Sequence, residues 1–208
     1  MVYKVRYYGD PVLRKRARPV TTFDETLQKL GRDLSETMYE ANGVGLAAPQ
    51  VGLSVRVFMA LELAPQRAED VDGEVEGDED DALTSREKRD KWGVLAEHVM
   101  INPEIIARSG VQYGTDGCLS VPGIFVEEMK RDAHIRVRYQ DLSGETHERD
   151  AEGHFAHVIQ HELDHLDGVL FFDRLPEPEK RAFLDEHRKA LAELQREAKS
   201  YLKELKAS

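Results

Sequence analysis

Apolar residues recur at three- and four-residue steps from Phe23 to about Asn42, where Leu27, Leu30, Leu34 and Met38 mark one helical face. Thr22 or Asp24 suits its start and Asn42-Gly43 its stop. The period then changes. Val55 to Leu61 alternates and is rich in β-branched residues, which predicts a strand. Further strands are expected around His98 to Ile101, Glu104 to Val111 and Gly123 to Met129. The run HIRVRYQD alternates through Ile135, Val137 and Tyr139 toward a turn at Ser143-Gly144. From about Glu152 a helix carries Phe155, Val158, Ile159, Leu163 and Leu166 toward a core, and Gly168 ends it. VLFF reads as a short strand, and one last helix over 177–208 lines up Phe183, Leu191, Leu194, Ala198 and Leu205.

One helix, many strands, one helix and an appended helix describe an α+β fold with mostly antiparallel sheets. At 208 residues, the chain is long enough for a single domain over 1–208 with a sizeable core. No run approaches a membrane span, and the opening MVYKVRYYGD lacks the apolar stretch of a signal peptide, so the expected place is the cytoplasm.

The formal net charge of −11 argues against nucleic acid as a default partner, yet its distribution matters more. Between Glu62 and Asp81 ten acids face Arg67 alone, so that segment carries −9 and the remainder only −2. With Gly73 and Gly77 and little to bury, residues 64–81 read as a solvated loop, the centre of an acidic surface insertion over 62–91. It lacks the ligand order of an EF-hand.

Three stretches carry candidate chemistry. In QHELDH, His161 and His165 stand four apart and project from one helix face, where two imidazoles can share a metal ion. Glu162 between them can reach a water at the ion without being a ligand, and Asp164 falls where a carboxylate could orient a ligand. A third ligand could be Asp167 or Asp173 downstream, or Cys118 upstream, the sole cysteine. That cysteine lies in TDGCLS, a glycine-flanked loop, and alone it could equally be a buried core thiol. The third stretch, GVGLAAPQ, lets backbone approach a ligand closely and ends on the amide of Gln50. It lacks the lysine and spacing of a phosphate loop.

GVGLAAPQ, DGCLS and HELDH in that order resemble the GxGLAAxQ, EGCLS and HExDH motifs of the peptide deformylases. YGDPVLR, INPEI, CLSVPG and QHELDHLDGVLFFDRL extend the resemblance over most of the chain. It implies Cys118, His161 and His165 as metal ligands and Glu162 as general acid/base. Gln50 and the Leu119 N–H would face the developing oxyanion. Gly45 would pair with the substrate main chain, and Val44, His157 and Val158, with His154 nearby, would line the side-chain pocket. Arg131 matches the arginine of a Pro-Arg pair and would contact substrate, although Lys130 takes the proline's place. Asp116 stands where the family has Glu.

The resemblance further implies removal of the N-formyl group from the formylmethionine end of nascent proteins, releasing formate. The cofactor would be one divalent ion, iron(II) by preference, with zinc, nickel or cobalt also suited to thiolate and imidazole. Over residues 179–206 bases exceed acids by two, and in similar enzymes this helix contacts the ribosome near the exit tunnel. A monomer is expected, without membrane or sequence-specific nucleic acid as partner. Two rival readings are a zinc endopeptidase, with a downstream third ligand and Cys118 dispensable, and a metal-binding, ribosome-associated homologue without activity.

Overall fold

A computed structural model describes residues 1–65, 80 and 82–207. Among them, helix α1 (Glu25–Glu40) starts on Asp24, whose carboxylate accepts from the Thr26 and Leu27 N–H groups. Strands β1 (Gly45–Ala47) and β2 (Val57–Leu63) follow, separated by a 3-10 turn at Ala48–Val51. Then come α2 (Ser85–Lys91), β3 (Val94–Ser109), β4 (Gln112–Asp116), β5 (Val126–Arg131), β6 (His134–Gln140) and β7 (Thr146–Glu152). Helix α3 (Gly153–Leu166), a 3-10 turn at Phe171–Arg174, α4 (Glu177–Glu186) and α5 (Arg188–Ala207) complete the chain. This is the α+β architecture expected, with every paired strand antiparallel.

The strands form a five-stranded sheet in the order β1-β2-β3-β6-β7 and a two-stranded ribbon of β4 and β5. Helix α3 packs on β2 and β1, burying Phe155, Val158 and Ile159 against Phe58, Ala60 and Leu46 in one core cluster. A second cluster holds Cys118, Val121 and Ile124 with Phe171, Phe172 and Phe183, and α5 closes it with Leu191 and Leu194. Helix α3 therefore lies between sheet and ribbon. No helix among the described residues is long and apolar enough to cross a membrane.

Four expectations are corrected. The two strands placed at 98–101 and 104–111 are one strand, β3, bulged where Asn102 has φ 51 and Pro103 lacks an N–H to pair. Asn102 is held there by the Val20 backbone and Gln140. VLFF is not a strand. The Asp173 carboxylate accepts from the Leu170 N–H and closes a 3-10 turn that buries both phenylalanines. The single helix over 177–208 is two, with His187 capping α4 before α5 begins. Finally, the acidic stretch is not solvated throughout, since Asp80 is buried and accepts from the indole N–H of Trp92. The rest of that stretch from 66 to 79, and 81, lies outside the described residues.

Candidate metal centre and active-site cleft

Cys118 follows β4 in a tight turn closed by the Val121 N–H on the Cys118 carbonyl. Its sulfur lies 3.2 Å from His165 Nε2, which lies 3.2 Å from His161 Nε2. Those three donor atoms fall within 4.8 Å of one another, all in buried residues. The alternative third ligands are engaged elsewhere: Asp167 pairs with Arg56, and Asp173 with Arg14 and Lys180.

The tautomer of His161 follows from its partner. Its Nδ1 donates to Asp116 Oδ1 at 2.6 Å, so once a cation displaces the other ring proton the Nε2 lone pair faces His165 and the thiol. Two imidazoles and a sulfur with converging lone pairs are matched by a cation, and thiolate with imidazole is a donor set for zinc or iron(II). The residues fit a divalent ion. Burial works against a charge on His161, but Asp116 outweighs it and holds the ring's pKa well above the ordinary value. His165, buried beside that ring, is held well below.

Asp116 gathers more than one partner. Its Oδ2 accepts from Arg131 Nη2 at 2.7 Å and Nε at 3.2 Å, and His157 Nε2 lies 3.1 Å away. Burial opposes its charge, yet His161, His157 and Arg131 together keep the carboxyl well below the usual range. Arg131 also donates to Asp164 at 2.6 Å, and Asp164 accepts from Arg174. Asp164 thus braces two arginines and no ligand. Arg131 is buried beneath the centre in this ion cluster and is absent from the cleft lining, contrary to its expected contact with substrate. The shorter Asp116 still reaches both His161 and Arg131.

A cleft of about 1340 Å³ opens over the centre, lined by Val44, Gly45, Leu119, His154, His157 and Val158. Gln50 reaches it from the 3-10 turn after β1. The Ala47 N–H fixes its carbonyl at 2.7 Å, so its NH₂ is turned to Cys118 Sγ at 3.5 Å. Glu162, only 3% exposed, has one oxygen, Oε2, with no hydrogen-bond partner among the described residues. Burial pushes its pKa up to about 7. A Cβ on Gly45 would collide with Glu162 Oε1, so a side chain there would have to displace this carboxylate.

Three further contributors lie outside GVGLAAPQ, DGCLS and HELDH. Phe171 sets its ring 6.3 Å from that of His161 at 24°, and Tyr113 and Leu95 stand exposed at the cleft mouth. They come from segments far apart in the chain, so no local pattern marks them.

The family described as polypeptide deformylase matches residues 2–181. A peptide deformylase of Thermus thermophilus is 49% identical over 205 residues, 99% of this chain and 98% of the relative. One of Thermotoga maritima is 43% identical over 199 residues, 95% of this chain and 99% of the relative. A crystal structure of the Thermus thermophilus enzyme superposes with a TM-score of 0.79 and 45% identity, covering 95% of this chain and 99% of that one. The Plasmodium falciparum enzyme gives 0.72 at 32% identity, covering 95% and 98%. Relatives that align along nearly their whole length, beneath a metal-ready centre, leave one reading: this chain belongs to the polypeptide deformylase family.

Proposed function

We propose that Cys118, His161 and His165 hold one divalent ion, and that Glu162, Gln50 and the Leu119 N–H hydrolyse a formyl-methionyl amide beside it. The observation that carries the reading is Glu162, a buried carboxylate with a free oxygen placed next to three convergent metal donors. When bound, the ion polarises the formyl oxygen and makes a water acidic enough to attack at neutral pH. Glu162 takes the proton of that water and returns it to the leaving amine, a role worth ~10²–10⁴ in rate. Gln50, its carbonyl already fixed by Ala47, has its NH₂ available to the oxyanion of the attacked formyl group.

Gly45 lies on β1, the edge of the sheet, where an extended peptide can pair with its main chain. Val44, Val158 and His157 wall the pocket for the methionine side chain. Arg131 serves beneath the site, holding Asp116. We read residues 1–208 as one deformylase domain and 62–91 as its insertion. The natural ion is read as iron(II), on the donor chemistry and the family resemblance. The exposed bases of α5, among them Lys189, Arg196 and Lys203, are the surface read as meeting the ribosome, the enzyme acting as a cytoplasmic monomer.

Engagement of Asp167 and Asp173 in ion pairs speaks against the endopeptidase reading, which needs a downstream ligand. The test is formate release from a formyl-Met tripeptide by protein purified without oxygen, with bound metal measured alongside. Glu162→Ala should retain metal and lose turnover, and Cys118→Ala should lose metal. Full metal content in Cys118→Ala would remove the ligand assignment, and normal turnover in Glu162→Ala the acid/base role.

A further inference from the structure

We infer that Lys88 is a positioning residue for the glycine loop of the site, acting through Asn42 at the end of α1. The inference rests on the reading of Val44 and Gly45 as substrate-facing. Lys88 lies on α2, in the insertion and outside all three motifs, yet it is only 2% exposed. Its ammonium donates to the Tyr39 carbonyl at 2.7 Å and to Asn42 Oδ1 at 2.6 Å. Burying an ammonium is costly unless its hydrogen bonds are met, so this placement is not that of a solubilising surface charge.

The chemistry of the helix end explains the match. Helix α1 has no basic residue in its own last turn, and its carbonyl end favours a cation. Lys88 supplies one from another helix. Asn42 sits at φ 56, the left-handed position, with its N–H on the Tyr39 carbonyl at 3.2 Å and the Gly43 N–H on that of Met38 at 2.9 Å. This closure turns the chain straight into Gly43-Val44-Gly45. The Val44 carbonyl is fastened beyond it by the Leu61 N–H at 2.9 Å.

Little slack exists downstream of Asn42. A Cβ at Gly43 would come 2.7 Å from Leu119 Cδ1, and one at Gly45 would strike Glu162. The loop therefore packs against the Leu119 side chain and the Glu162 carboxylate, and a small displacement at Asn42 reaches each. Helix α2 is itself fixed against α1: Thr84 and Glu87 cap it reciprocally, and Trp92 stacks on Tyr39 at 5.7 Å. The insertion thus ends in a brace for the site.

The test uses full-length, metal-loaded enzyme carrying Lys88→Met, Asn42→Gly or both, with steady-state kinetics on a formyl-Met tripeptide and amide hydrogen exchange at Val44 and Gly45. We expect KM to rise about tenfold with kcat within about twofold, and faster exchange in the loop. The double variant should be no worse than either single one. A purely structural role would lower melting temperature and leave KM alone, and unchanged KM or additive losses overturn the proposal. Asn42→Gly keeps the left-handed backbone and Lys88, so it decides the matter if Lys88→Met does not fold. Gly45→Ala separates the two readings: wild-type kinetics there would remove the substrate-facing assignment, whereas an impaired Gly45→Ala beside an unaffected Lys88→Met overturns the role of Lys88 alone.

Discussion

Asp116 Oδ1 lies 2.6 Å from His161 Nδ1, and the same carboxylate is locked by Arg131 through its other oxygen. One short side chain therefore orients the imidazole of His161 and anchors the loop that carries Cys118. Asp116→Asn keeps the volume, loses the charge and allows an amide NH₂ to face His161 Nδ1. Metal affinity should fall about 10–100-fold, measured by competition with a chromogenic chelator. Unaltered affinity would show that Asp116 serves only Arg131.

Gln50 offers a cleaner separation of binding from chemistry. Its carbonyl is held by Ala47 and its NH₂ is turned to the sulfur, so the side chain is preorganised before substrate arrives. Gln50→Leu should lower kcat about 10²–10³-fold with a smaller change in KM. An effect on KM alone would make Gln50 a binding contact instead.

Phe171 supports the centre from below. It is almost fully buried, edge-on to Phe172 at 5.3 Å and to Phe183 at 6.0 Å, with the His161 ring above it. Phe171→Ala should cost about 3–5 kcal/mol in urea unfolding, because the cavity opens among aromatic rings that cannot all collapse into it. A cost below about 1 kcal/mol on the same scale of core substitutions would mean that this cluster relaxes freely.

The residues that the motifs name are those whose chemistry is local. His161 and His165 share a face because a helix turns every 3.6 residues, and Gly45 is glycine because Glu162 lies against it. Partnership across the chain is not legible in the same way. Asp116 and Arg131 are 15 residues apart, and sequence spacing does not say that one carboxylate holds an arginine and a histidine at once. The motif alone misplaces Arg131 for that reason, and Lys88 looks like one more base in an acidic insertion. VLFF fails differently. Its apolar run suits a strand or a buried turn equally, and the Asp173 side chain decides for the turn.

Glu162 ties metal to pH. Its carboxyl is raised by burial from 4.5 to about 7 in the metal-free protein, so the folded state keeps a proton that the unfolded chain releases at lower pH. The sign follows. This group's contribution to stability is full below pH 4.5 and is lost as pH rises through about 7. Chelated enzyme should therefore lose on the order of 3 kcal/mol between acid and mildly alkaline pH in urea unfolding, relative to Glu162→Gln. In Glu162→Gln that part of the slope disappears while all other titrations remain. A divalent ion beside the carboxylate favours its charged form, so metal-loaded wild type should show a smaller difference from the variant. Parallel pH curves for the two chelated proteins would place the titration elsewhere. A difference that persists undiminished in the loaded protein would mean that the ion and Glu162 do not share a site.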